Sequence, residues 1–215
     1  MTQLHIEDHD RHEHPLDIVE RLASLRDWIF DRAETDEMSV SVAGRWADYH
    51  VAFTWIEDVE ALHVASAFDL KVPERRRTEI LTLVSLVNEQ LWVGHFDLWS
   101  TDNVVMFRHS LLLTGGAAPT QGQCTMMLKS AVDACERYYQ AFQFVLWAGK
   151  SAREALDAVL FEQVLFNLLN NAVKFTPAGS VVLTARYEGS VPGADGGTAE
   201  ALRFEISDTG IGIAP

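Results

Sequence analysis

The sequence predicts an α+β protein: a five-stranded antiparallel sheet covered by helices on one face, followed by a smaller unit built from a helix and a strand pair. Three observations predict it. Runs of alternating apolar and polar residues recur across 39–68 and 92–113, the period-two pattern of strands with one buried face. Stretches at 15–33, 73–91 and 120–148 carry apolar residues at steps of three and four, the helical period. With 215 residues, 48% of them hydrophobic, the chain is long enough for one large domain or two small ones with real cores.

Pro15 opens the first helix, in which Leu16, Val19, Leu22 or Ala23, and Ile29 or Phe30 recur at helical spacing to about Ala33. Thr35-Asp36 breaks it. Three strand patterns follow. Val40 and Val42 alternate with Ser39 and Ser41, and Gly44 marks a turn. Tyr49, Val51, Phe53 and Trp55 share one face; after a turn at Glu57-Asp58, Leu62, Val64, Ser66 and Phe68 continue the alternation. Pro73-Glu74 starts a second helix, since proline suits the first helical position and an acid suits the positive end of the helix dipole. Its apolar stripe is Ile80, Val84, Val87 and Leu91. Trp92, Phe96 and Leu98 form the next strand pattern, Asn103 turns the chain, and Val104 to Leu113 returns. A Gly- and Ala-rich loop at 114–119 precedes a long helix to about Ala148. Cys124, Leu128, Ala131, Cys135, Tyr138, Phe142 and Val145 form its stripe, for packing on the domain's own sheet.

Charge and composition bound the partners. The net charge of −14, with 31 acidic against 17 basic residues, disfavours nucleic acid and anionic membrane surfaces, both of which need clustered Lys and Arg. No apolar stretch approaches a membrane span, and the expectation is a cytoplasmic protein. The two cysteines, Cys124 and Cys135, lie three helical turns apart, too far for a disulfide within one helix, and read as small buried apolar residues. Residues 1–14 alternate His and acid and read as a solvated, disordered tail. His5 and His9 are one helical turn apart, but no further ligand supports a metal there. His12-Glu13 fails as a phosphoacceptor box because Pro15 comes one residue too soon.

The run HPLDIVERLASL, the stretch DYHVAFTWIEDVEALHVASAFDLKVPERRRTEIL, NEQLWVGHFDLWS with VVMFRHSLLL, and ACERYYQAFQFVLWAGKSAREAL resemble the YbjN family. The resemblance covers about residues 14–160. It implies a fold like that of type III secretion chaperones and a role as a sensory-transduction regulator: a protein-binding module, often dimeric, without catalytic residues. The residues agree. Ser41, Asp48 and His50 can be drawn as a triad, but chance assemblies of common residues are frequent. His63, His95 and His109 lie on strands beside apolar residues and read as packed or surface histidines. Gly149-Lys150-Ser151 mimics the end of a phosphate-binding loop, but the second glycine it requires is Phe144, and a helix stands where a strand should.

A second resemblance begins at Phe161. FEQVLFNLLNNAVKFT, PAGSVVLTARYEG and LRFEISDTGIGIAP look like the N box and first glycine box of the histidine-kinase ATPase domain, a partial Bergerat α/β sandwich over 161–215. Val164, Leu165, Leu168 and Val173 are expected to set the N-box helix against a sheet. Asn167 and Asn171, four apart, share a polar face. Strands at 181–187 and 202–207 are expected to flank a flexible loop at 188–200. The resemblance implies that Asn171 reaches the magnesium bridging the nucleotide phosphates, that Asn167 and Lys174 lie near those phosphates, and that Asp208 accepts from the adenine amino group. It implies too that Gly210 and Gly212 let the backbone pass close to the base.

The run stops at Pro215, directly after that glycine box. ATP with Mg²⁺ is therefore expected to bind weakly or not at all, without autophosphorylation. The leading functional expectation is a non-enzymatic, protein-binding regulator, with a signalling protein or chaperone client as partner and a homodimer as its own assembly. The alternative is a sensor-kinase component acting in a two-component phosphorelay.

Overall fold

The computed structural model describes residues 13–192 and 198–211. The chain divides into two compact units, Met1–Val159 and Leu160–Pro215. In order, the first unit holds α1 (Pro15–Leu25), β1 (Ile29–Asp31), β2 (Glu37–Ala43), β3 (Asp48–Ile56), β4 (Ala61–Lys71), α2 (Arg77–Asn88), β5 (His95–Trp99), β6 (Val104–Leu112) and α3 (Gln121–Leu146). The helix α4 (Ala152–Lys174) follows, then β7 (Val181–Pro192) and β8 (Thr198–Asp208) of the second unit. Most of the His- and acid-rich tail, residues 1–12, lies outside the described residues.

The first unit's sheet is antiparallel throughout, with strand order β1-β2-β3-β4-β6-β5. It has six strands rather than five. The extra one is β1, which the periodicity had merged into the first helix. That helix stops at Leu25 because Asp27 adopts a left-handed φ of 54°, and the Trp28 amide turns back to donate to the Ala23 carbonyl at 3.0 Å. Ile29, counted as part of the helical stripe, is instead 75% exposed on the sheet edge.

His14, read from sequence as the end of the tail, caps α1. Its Nδ1 accepts from the Leu16 amide at 3.3 Å, and its Nε2 donates to Asp36 at 3.0 Å.

The strand register explains the core. Phe53 sits opposite Val64, Trp55 opposite Leu62, and Phe96 opposite Phe107, so their side chains share the covered face. All six are buried. Trp92, expected on that face, lies before β5 and is fully exposed. The stripe of α3 is buried along its whole length, from Cys124 to Val145. Phe68, Phe96, Tyr138, Tyr139 and Phe142 meet there in edge and tilted ring contacts at 5.1–6.1 Å. Each such buried ring contributes roughly 1.5–3 kcal/mol through apolar burial.

Gly149 (φ 69°) closes α3, with the Lys150 amide donating to the Phe144 carbonyl at 3.2 Å. Ser151 then caps α4 reciprocally with Glu154: the Glu154 amide donates to Ser151 Oγ at 3.3 Å, and the Ser151 amide donates to Glu154 Oε2 at 2.9 Å. The Ser151 hydroxyl, donating to Glu154 Oε2 at 2.7 Å, and the Ser151 amide hold the Glu154 carboxyl below its ordinary range. The Gly-Lys-Ser triplet is thus a helix stop and a helix start. The first residues of α4, Ala152, Ala155, Leu156 and Val159, are buried in the first unit.

In the second unit, β7 and β8 pair antiparallel from Val181–Asp208 to Pro192–Thr198, with a register shift between Tyr187 and Gly189. The strands therefore run well into the segment expected to be a loop. Gly189, Ser190 and Val191 thereby gain ladder partners in Ala201, Glu200 and Ala199.

Candidate functional site

The expected nucleotide residues fall on the second half of α4 and the end of β8. On a helix advancing about 100° per residue, Phe161, Val164, Leu165, Leu168, Ala172 and Phe175 form one stripe. Asn171 lies at the stripe's edge. On β8, Leu202, Phe204, Ile206 and Asp208 share a face by the period of two. The two stripes enclose a cavity of about 620 Å³, lined by all of these residues. The Phe161 and Phe204 rings meet across it at 5.0 Å. Val173, assigned by sequence to the sheet-facing side, is 63% exposed. It sits roughly 140° around the helix from Leu168, on the far side from the stripe.

The structure brings together Asn171 and Asp208, which line the same cavity. It does not bring Asn167 or Lys174 into that lining. Both are exposed on the flank beyond Asn171, and the Lys174 ammonium lies 5.3 Å from the centroid of the neighbouring Phe175 ring. Among the described lining residues there is no Lys or Arg. The cavity thus offers an apolar slot with one carboxylate and one amide. That chemistry fits a flat base with an amino group and does not fit a triphosphate, whose charge calls for cations or a ring of free amides. Asn171 is a neutral oxygen ligand of the kind magnesium accepts, yet the described lining gives it no phosphate-binding neighbour. No group of three or more His, Cys, Asp or Glu able to hold a metal occurs among the described residues.

Asp208 is itself held. Its Oδ1 accepts from the Gly210 amide at 2.9 Å. The turn beyond it is pinned to the end of α4: the Ile211 amide donates to the Phe175 carbonyl at 3.1 Å, and the Thr209 amide to the Ser180 carbonyl at 3.1 Å. A Cβ on Gly210 would stand 2.3 Å from the Phe175 carbonyl oxygen. Gly210 is therefore needed where two stretches of the chain's own backbone approach each other. Gly212 lies outside the described residues.

The Ser41, Asp48 and His50 grouping resolves into a cross-strand pair. Ser41 Oγ and His50 Nδ1 are 2.9 Å apart on facing positions of β2 and β3, and no hydrogen bond joins Asp48 to His50 among the described residues. Sequence reasoning missed the walls of the cavity at Phe161, Phe175, Leu202 and Phe204. The helical period and the strand alternation were the signals that could have found them.

Residues 156–215 match the family described as "Histidine kinase-, DNA gyrase B-, and HSP90-like ATPase". Among curated proteins the chain is similar to the autoinducer 2 sensor kinase/phosphatase LuxQ of Vibrio parahaemolyticus, 56% identical over 57 residues, 26% of this chain and 6% of that protein. It is similar also to the aerobic respiration control sensor protein ArcB of Escherichia coli, 40% identical over 57 residues, 26% of this chain and 6% of that protein. The virulence sensor protein BvgS of Bordetella bronchiseptica is 44% identical over 59 residues, 27% of this chain and 4% of that protein. The matches therefore span only about one-twentieth of these relatives' length. A crystal structure of YbjN from E. coli aligns with 68% of this chain and 93% of its own at 10% identity and a TM-score of 0.42. Residues 15–144, more than half of the chain, match the YbjN model, described as "Putative bacterial sensory transduction regulator", and the chain belongs to the YbjN family.

Proposed function

We propose that this protein is a regulator of bacterial signalling that works by binding other proteins, and that its second unit keeps the base end of an ATP site but holds nucleotide weakly. One observation carries the reading of that unit: the cavity between α4 and β8 is walled by apolar side chains and has no cation in its described lining. Base stacking and one hydrogen bond to Asp208 are left to supply the affinity, without the charge-assisted contacts that phosphates usually add. The family match over 15–144 supports the regulatory role, and among the described residues of that unit no carboxylate hydrogen-bonds His50 to orient it toward Ser41.

Calorimetry with ATP and Mg²⁺ on the full chain tests this. The expected result is a dissociation constant weaker than about 100 μM, corresponding to less than roughly 5.5 kcal/mol of binding free energy. Tighter binding that Asp208→Asn abolishes would overturn the weak-site reading. It would support the second reading, a nucleotide-binding component of a sensor kinase. That reading is favoured by the placement of Asn171 and Asp208 on one cavity and by the sensor-kinase relatives.

A further inference from the structure

A second cavity, of about 330 Å³, lies in the first unit and is lined by His63, Gly94, His95, Arg108, His109 and Ser110. Three strands build it. In the register of the sheet, His95 on β5 faces Arg108 on β6, and His63 on β4 faces Ser110 on β6. Arg108 and Ser110 alternate with the buried Phe107, so these four side chains stand on the face away from the core. By the same alternation His109, opposite the buried Val64, takes the other face, and it borders the recess beside the start of β5.

The arginine is positioned by its neighbours. The Arg108 Nε donates to His63 Nε2 at 3.3 Å, and the guanidinium carbon lies 5.5 Å from the Trp99 ring centroid. The acid on these strands that faces it is Asp97, 3.7 Å from Nη1, with both side chains partly exposed, a geometry in which an ion pair adds little. The remaining N–H groups of the fork are available to a ligand. Burial, reinforced for His63 by Arg108 and for both by His95, holds the His63 and His109 rings below the ordinary histidine range.

We propose that this cavity binds a phosphate-class oxyanion, free or carried as a monoester, with Arg108 as the permanent cation, Ser110 as a neutral donor and His63 and His95 as protonatable donors. In a chain of net charge −14, it gathers one arginine and three histidines around a single recess. An anion here offsets the positive charge that Arg108 adds to the effect of burial on the His63 ring, so binding and His63 protonation favour each other. The sign follows: the His63 ring gains charge as pH falls through its lowered range, and affinity rises with it.

The test follows histidine ring resonances of the full chain by NMR. Sulfate is the probe for the pH series, because its charge is constant from pH 8 to pH 6. Inorganic phosphate and phenyl phosphate, compared at pH 7, separate the free ion from the monoester. All titrations run at fixed ionic strength, with chloride as control. Saturable shifts at His63, His95 and His109 are expected, with sulfate binding at least about threefold tighter at pH 6 than at pH 8. Arg108→Gln should weaken binding about tenfold or more. His63→Gln should retain binding at pH 8 and flatten the pH dependence, which keeps the proposal testable if the arginine variant misfolds. Shifts matched by chloride, no saturation with any oxyanion, or full binding by a folded Arg108→Gln variant would overturn it.

Discussion

Cys124 and Cys135 face the sheet from α3, and both are fully buried. Burial pushes the Cys124 thiol up to about 11 and the Cys135 thiol up to about 12, from an ordinary value of 9.0. Above pH 9 the unfolded chain releases these protons while the folded chain retains them. The stability they contribute is therefore complete below pH 9 and is lost as pH rises through the folded values. Urea unfolding midpoints are expected to fall from pH 8 to pH 10.5, and to fall less in the Cys135→Ala variant at matched conditions. An unchanged slope in that variant would show that the thiol titrates like an exposed one. The sequence already marked both cysteines as buried, because their spacing put them on the stripe of a long helix. It could not mark His63, His95 and Arg108 as neighbours. They come from three strands, and only the register of the sheet sets them side by side.

At the scale of elements, helix boundaries were legible where a capping residue or a proline announces them. Pro15, at the first turn of α1, is one example. Thr120 is another: its side chain accepts from the Gln123 amide at 3.2 Å while the Gln123 side chain accepts from the Thr120 amide at 2.8 Å. Thr120→Ala is expected to cost about 1 kcal/mol of stability in the first unit, read as a lower urea midpoint with an unchanged slope. A loss below the error of the measurement would mean that packing of α3 on the sheet alone sets its start. The end of α1 was not legible, because Ile29 and Phe30 continue the helical spacing by coincidence. The chain leaves the helix at Asp27 to gain an edge strand, and that choice depends on β2 being there to receive it. The β7–β8 ladder outran its sequence signal for the same reason. Glycine and acid residues within it pair through backbone groups, which carry no side-chain pattern.

At the scale of the whole molecule, the two units differ in how much apolar surface they bury. Among the described residues, nearly all the buried hydrophobic side chains belong to the first unit. Among the described residues of the second, Ala172 alone is buried, while Phe161, Val164, Leu168, Phe175, Leu202 and Phe204 are between 37% and 63% exposed. Local stability follows apolar burial, so amides of β7 and β8 are expected to exchange with solvent at least about a hundredfold faster than those of β3 and β4. Equal protection of the two sheets would show that the second unit acquires a cover in solution. Among the described residues no helix is long and apolar enough to cross a membrane.

The sequence by itself determined the fold class, the covered face of the first sheet, the α3 stripe, and the candidate nucleotide residues Asn171 and Asp208. Each of these is written in local periodicity or in a short motif, where neighbours in the chain are neighbours in space. Only the tertiary structure decided that Asn171 and Asp208 share a cavity that Asn167 and Lys174 do not line, that Gly210 yields to the Phe175 carbonyl, and that three histidines and an arginine surround one recess. Those arrangements join residues distant along the chain, and their geometry is set by strand register and by the packing of whole elements, which no local pattern encodes.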